Sequence, residues 1–457
     1  MALRQRIVSE IYDERNNEIV DRQIIQDKAI TKPKKIDELG YNHKEQISML
    51  QLIQDTFLNE QQKTLILKEC NICGSKVSKA GRVPSDFHSI YTDHKLQIPR
   101  VMCCNKDCGA GNINISIYSM FGSNMHPDLV KKQAEIGAEN SFVNAQRYLE
   151  KDNGRYRSIN NQLTIKKTTG KVGNILSKIH QELPTKTSEE SVNSLIVQVD
   201  GGYIKTPGKN SKGFEALVST IYKPEDNICG VISKNGNKKS GYISDKIYSA
   251  SALKDRGKTI KSMTISAAIK HGMCDKTYIT GLSDGATNCW NTIKSLEKYC
   301  LSIDYVLDWY HISVKFDRLI NQLEDPYSGE LESLKWKIWH GKGKEAITRL
   351  SKLYFNLLNS EYSDKLHYLL KYLSNNTEYL AHYEARKEAK QPYTSSVIES
   401  TIESLVNTRH KKKHKAQWSR EGAHNVLQIR SSVASKKWDD EWNTVKDLFY
   451  TPRTRVA

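Results

Sequence analysis

The sequence predicts an α/β protein. Its core is a mixed sheet carrying packed helices and a helical insertion, preceded by a cysteine-paired ribbon and a helical region. Three observations lead there. After the polar, turn-rich stretch 183–194, short apolar runs such as "LIVQVDGGYIKT", "FEALVSTIYK" and "NICGVISK" read as strands. Beyond them, helical stretches alternate with the strands "KTYITGLSDGA" and "IDYVLDWYHI", a pattern that gives a sheet with helices laid on it. Upstream, two close cysteine pairs lie 29 residues apart, at Cys70/Cys73 and Cys103/Cys108.

Taken in chain order, residues 1–67 are expected to be an N-terminal helical region, because "HKEQISMLQLIQDTFLNEQQKTLILKE" has apolar residues at helical spacing and no proline. Residues 68–112 hold the cysteine pairs. Residues 113–190 read as short helices joined by polar turns, compatible with a helix-turn-helix DNA reader. The sheet region spans 193–315, a helical insertion 316–390, a returning helix 391–435 and a C-terminal tail 436–457.

The chain has 457 residues, of which 38% are hydrophobic, enough for several globular domains. No run of about 18 apolar residues suggests a membrane span, and "MALRQRIVSE" lacks a secretory core. A cytoplasmic location is therefore expected. The net charge of +17 suits a polyanionic partner such as nucleic acid. The basic runs are "KPKK" (32–35), "KNGNKK" (234–239), "GKGK" (341–344) and "RHKKKHK" (409–415). The last supplies Arg409, Lys411, Lys412, Lys413 and Lys415 as candidate DNA contacts.

Five of the nine cysteines fall between residues 70 and 108, which in a reducing compartment reads as metal binding rather than disulfides. Cys70, Cys73, Cys103 and Cys108 can form two knuckles, each eased by a following glycine, Gly74 and Gly109. Together they make a four-thiolate site resembling a structural zinc ribbon. Cys104 could replace Cys103, and His88 and His94 are outside candidates. Cys229, Cys274, Cys289 and Cys300 read as small buried hydrophobes.

Four acids stand where catalysis can use them. Asp200, Asp284 and Asp308 each close a strand-like run, and Glu399 lies on the helix "SSVIESTIESLV". There Ile398, Ile402, Leu405 and Val406 define the buried stripe. Glu399 falls roughly 75° from its centre and Glu403 roughly 115°, so Glu399 is nearer the core edge. Strand-end carboxylates plus a helix glutamate can hold two Mg²⁺ (or Mn²⁺) ions about 3.5–4 Å apart for displacement at phosphorus. Each acid also has a structural reading: a turn at Asp200-Gly201, a helix cap at Asp284, a solvated face at Glu399. Trp336 and Trp339, with Tyr354 and Tyr362 nearby, are either core or a stacking surface for a flipped base.

The order Asp200, Asp284, Asp308-x2-His311, Glu399 resembles that of the Mutator-like DDE transposases of bacterial insertion sequences, whose second Asp is followed by a (Cys/Asp)-x2-His signature. The tail 395–430, with Ile398-Glu399-Ser400, Trp418, Gly422-Ala423 and Ile429-Arg430, is similar to the end of the ISKra-type branch. The likeness covers about residues 193–435. It implies an RNase H-like core, with Asp200, Asp284 and Glu399 as a magnesium-binding catalytic triad and Asp308 and His311 in support. It further implies terminal inverted repeats and target DNA as partners and a homo-oligomer on DNA. Two other readings stay open: an RNase H-like nuclease without strand transfer, and a non-catalytic, domesticated or decayed, zinc-ribbon DNA-binding protein.

Overall fold

The computed structural model describes residues 3–70, 72–113, 115–184, 191–208, 212–228, 242–324, 326–412 and 416–451. The chain divides into two compact units, 1–172 with 442–457, and 173–441. No helix among the described residues is long and apolar enough to cross a membrane.

The first unit begins with an antiparallel hairpin, β1 (Leu3–Asp13) and β2 (Glu18–Ile30). This corrects the expectation of a helical start. β-Branched residues recur through "RIVSEIY" and "EIVDRQII", and Asn17 at φ +59° completes the turn. The expected helix follows as α1 (His43–Gln61), opened by a capping box between Asn42 and Glu45. A three-stranded antiparallel sheet comes next: β3 (Val77–His88), β4 (Asp93–Cys103) and β5 (Asn112–Ile113). Leu96, Ile98 and Val101 of β4 bury into its core. Helices α2 (Ile117–Phe121), α3 (Pro127–Glu139), α4 (Phe142–Asn153) and α5 (Gln162–Gln181) occupy the expected helical region.

The second unit is built on a five-stranded mixed sheet. Its strands are β6 (Ser194–Ile204), β7 (Phe214–Tyr222), β10 (Ile247–Ser251), β11 (Tyr278–Ser283) and β12 (Ser302–Leu307); a separate small pair is β8 (Asn227–Ile228) and β9 (Tyr242–Ile243). The spatial order is β10-β7-β6-β11-β12. β7 runs antiparallel to β6 and β10, while β11 is parallel to both β6 and β12. Of the sequence strand "NICGVISK" only β8 is described; Cys229 and the basic run 234–239 lie outside the described residues.

Helices α6 (Lys258–Lys270), α7 (Thr287–Lys294) and α8 (Trp309–Ile320) connect or follow these strands. The insertion is helical as expected: α9 (Tyr327–Trp339), α10 (Gly343–Asn356), α11 (Ser363–Asn375) and the short α12 (Tyr383–Glu388). Its Leu331, Leu334, Ile338, Leu350 and Leu353 bury at helical spacing in the same core as Val197 and Leu282 of the sheet. The chain then returns through α13 (Ser396–Thr401), which continues as a π-helix over Ile402–Lys412, and α14 (Arg420–Ala434). Residues 436–457, expected as a tail, contain α15 (Trp438–Phe449). Its acidic first turn, Asp439, Asp440 and Glu441, suits a helix N-terminus.

One sequence expectation about β6 is overturned. The strand does not end at Asp200; it runs on to Ile204, with Gly201 and Gly202 paired to Leu217 and Ala216. The glycines serve close approach rather than a turn. A Cβ on Gly201 would run into the Glu215 side chain, and one on Gly202 would stand 2.9 Å from Val406. What ends at Asp200 is the flanking strand, because β11 pairs with β6 only as far as Val199.

Candidate active site and cysteine cluster

Register explains how three aspartates reach one edge of the sheet. Val199, Ser283 and Leu307 lie in one row across the three parallel strands β6, β11 and β12. The next residue on each strand is an aspartate: Asp200, Asp284 and Asp308. Three carboxylates therefore leave the same edge of the sheet at the same level. The fourth arrives on α13, which is tied to β6 by a hydrogen bond from Ile398 N to Gln198 Oε1 of 3.1 Å. Gln198 is wholly buried, and its amide also donates to the Tyr222 hydroxyl at 3.0 Å.

The carboxylates are not equivalent. Asp308 is buried and spent. It accepts from Tyr310 N (3.0 Å), His311 N (3.3 Å), Ser395 N (2.9 Å), Ser395 Oγ (2.6 Å) and His311 Nδ1. Burial alone would push its pKa up, but the bonds from His311 and Ser395 outweigh it and hold the carboxyl below its ordinary value. His311 is raised in turn, first by its bond to Asp308. Asp200 and Asp284 keep free capacity. Gly201 N donates to Asp200 Oδ1 at 2.7 Å, and Ala286 N donates to Asp284 Oδ1 at 2.9 Å; neither Oδ2 has a hydrogen bond among the described residues. Tyr372 fixes the Asp284 backbone through its carbonyl at 2.9 Å.

Glu399 is half-buried, yet its Oε1 is buried without a hydrogen-bond partner among the described residues. It lies 4.0 Å from His311 Nδ1. Burial raises its pKa, with His311 opposing. Asp200 is pushed up to about 6, first by burial and then by the charges of Asp284 and Glu399. Carboxylates that repel one another in a partly dry site take up a proton or a cation. Asp308, His311 and Glu399 offer ligand atoms within 4.8 Å of one another, but the oxygens of Asp308 are already saturated. The expected triad of Asp200, Asp284 and Glu399 is not among the groups whose ligand atoms all come within 4.8 Å of one another; the group that contains Glu399 is completed by Asp308 and His311. A further trio, Asp226, Asp245 and His271, also brings ligand atoms within 4.8 Å at the base of β8 and β9.

A cleft of about 620 Å³ opens beside Glu399, lined by Trp309, Tyr310, Trp336, Trp339 and Tyr393, with Lys387 at its side. Trp336 is 46% exposed. Trp339 stacks on Tyr383 at 6.2 Å and meets Trp309 at 4.8 Å. The tryptophans thus form a supported surface, while Tyr354 and Tyr362 pack against the core.

In the first unit, the four sulfurs of Cys70, Cys73, Cys103 and Cys108 lie within 4.8 Å of one another. Cys70 and Cys108 stand 3.7 Å apart, and Cys73 and Cys103 3.5 Å. Both spacings are far beyond a disulfide and close to the edge of about 3.8 Å of a tetrahedron with 2.3 Å metal–sulfur bonds. Gly74 at φ +70° and Gly109 at φ +67° turn the knuckles. Cys104 is exposed and outside the cluster. His88 and His94 are engaged elsewhere, with Asp93 and with Asp55 and Ser89.

The basic run at 409–415 is corrected in part. Arg409 is 2% exposed, its guanidinium 4.6 Å from the Trp418 ring centroid, so it does not face solvent. His410 is fully buried beside it. Lys411 is exposed; Lys412 closes the π-helix, and Lys413 and Lys415 lie outside the described residues. Sequence reading missed Gln198, Ser395 and Tyr372. Only Gln198 left a signal, as the one polar residue inside "LIVQV".

No protein-family model matches the chain, and a search of curated proteins also finds no match.

Two outcomes follow. The raised pKa of Asp200 means that the folded chain binds more protons than the unfolded one between the ordinary value of 3.8 and about 6. Stability therefore falls as pH rises through that window. In buffer without added divalent ions, Asp200→Asn should melt higher than the unaltered protein near about pH 8, with the gain vanishing near about pH 4; a gain equal at both would contradict the electrostatic account. For the cysteine cluster, purified protein should carry one tightly bound zinc. Cys73→Ser should lose it and speed amide exchange across β3 and β4, since metal binding and folding are coupled in such sites; unchanged metal content would remove the assignment.

Proposed function

We propose that the protein is a DNA transposase of a bacterial insertion sequence, cutting element ends and joining the freed 3′-hydroxyl to target DNA. The observation that carries this reading is the registered row Asp200, Asp284, Asp308, with Glu399 near enough to perturb Asp200. A central strand with an antiparallel partner on one side and two parallel strands on the other is the arrangement expected of an RNase H-like core.

Asp200, Asp284 and Glu399 would hold the Mg²⁺ or Mn²⁺ ions, which when bound activate the attacking water or 3′-hydroxyl and stabilise the leaving oxygen. The Oε1 of Glu399, which has no hydrogen-bond partner among the described residues, and the free Oδ2 atoms of the two aspartates offer the oxygens, and Glu399 would draw from His311 toward the aspartates when the ions bind. Asp308 acts as a positioning residue. It caps α8 and fixes both His311 and Ser395, the residue just before the helix that bears Glu399. The aromatic cleft offers ring faces to an unstacked base, each such contact worth about 1–3 kcal/mol. The cysteine cluster would be a structural zinc ribbon, closed to substrate by its four protein ligands. The net charge of +17 favours a polyanion.

The test uses the element's own terminal DNA. Asp200→Asn and Glu399→Gln should each lower Mg²⁺-dependent cleavage by about 10²–10³-fold, a loss of the size expected when a key electrostatic group is removed, while DNA affinity is kept. Joined product in the unaltered protein distinguishes a transposase from a nuclease. Full cleavage by both variants would overturn the assignment.

A further inference from the structure

A second cleft, of about 460 Å³, lies on the other flank of the acid row. Lys254, Arg256, Lys261 and Arg420 line it, and the first turns of α6 and α7 both open onto it, through Gly257 and Ile260 and through Thr287 and Asn288. Helix N-termini carry partial positive charge, so two of them reinforce the cations. Two acids also line the cleft, and both are engaged. The Asp255 oxygens accept from Gly257 N at 3.1 Å and Thr259 N at 2.9 Å, and Glu215 accepts from Asn288.

The cations are arranged rather than scattered. Arg420 is pinned, donating to Ala252 O at 3.1 Å with its guanidinium 4.6 Å from the Phe214 ring centroid. Arg256 is held at φ +57°, a backbone state that a non-glycine residue rarely adopts, beside Gly257 at φ +76°. Lys254 and Arg256 are exposed, and among the described residues no ion pair is formed by any of the four.

The cleft adjoins the candidate site by two routes. Leu217, in its wall, pairs with Gly201, the neighbour of Asp200. Thr287, also in its wall, is three residues beyond Asp284.

We infer that this cleft binds the phosphodiester backbone of the DNA strand whose reacting phosphate sits at Asp200, Asp284 and Glu399. The inference rests on the function proposed above and names the surface that holds its substrate. It adds the loop 254–257 and the adjoining Lys261 and Arg420 to the expected DNA contacts of the 409–415 run, from which Arg409 is removed by its burial.

The experiment is DNA binding by the full chain to a short mixed-sequence duplex, followed by fluorescence anisotropy without divalent ions, between about 50 and 200 mM salt. Each lost phosphate contact lowers the slope of log affinity against log salt by about 0.9. Lys254→Gln should lower it by about 0.9, and the triple variant with Arg256→Gln and Lys261→Gln by about 2.7. Lys352→Gln/Lys371→Gln, two exposed lysines of the helical insertion outside the basic runs, should leave the slope unchanged. If the unaltered protein binds and both cleft variants keep its slope, the cleft assignment is wrong while the proposed function stands. An equal loss in the insertion control would equally reject a local site. No binding by the unaltered protein would remove the DNA reading itself.

Discussion

The pairing of three parallel strands in one register is the constraint on which the site depends. A one-residue slip of β11 against β6 would turn Asp284 to the opposite face of the sheet. Continuous burial prevents this. Leu195, Val197 and Val199 on β6, Ile279 and Leu282 on β11, and Val306 and Leu307 on β12 are all 2% exposed or less. The apolar core thus fixes where the acids are, and of the three aspartates it is Asp308 that lies fully buried.

That placement sets up an electrostatic conflict that the surrounding residues only partly relieve. Asp308 is neutralised in effect by five donors, and His311 is drawn toward its charged form beside it. Asp200 and Glu399 receive much less, and both are pushed toward the protonated form. Asp308 is held as structure, while Asp200 and Glu399 are left short of positive charge. The switch from α- to π-helix just after Glu399 belongs to the same region, and such irregularity is frequent at functional sites.

Much of this was legible in the sequence, because the relevant signals are strong and local. An apolar run ending in Asp marked the strands β6, β11 and β12, and paired spacing marked the cysteine cluster. The positions of Asp284 and Asp308 just past their strands agree with that reading. The boundary at Asp200 did not, because the pairing of Gly201 and Gly202 with β7 is set by a partner strand, not by their own turn propensity. The N-terminal hairpin escaped notice because its strands are rich in charge and largely exposed, leaving no clean apolar face. Arg409 escaped because a basic run reads as solvated. Its burial depends on Trp418, a residue whose approach no local pattern announces. The basic cleft escaped for the same reason: Arg420 and Lys254 are distant in sequence and meet only through the sheet.

The most direct test of the shared acid site is anomalous diffraction from crystals of the protein soaked in Mn²⁺. The account predicts two peaks about 3.5–4 Å apart, ligated by Asp200, Asp284 and Glu399, with Asp308 still bonded to His311 and Ser395. No peak at those three acids, or a single ion held by Asp308 and His311 instead, would contradict it.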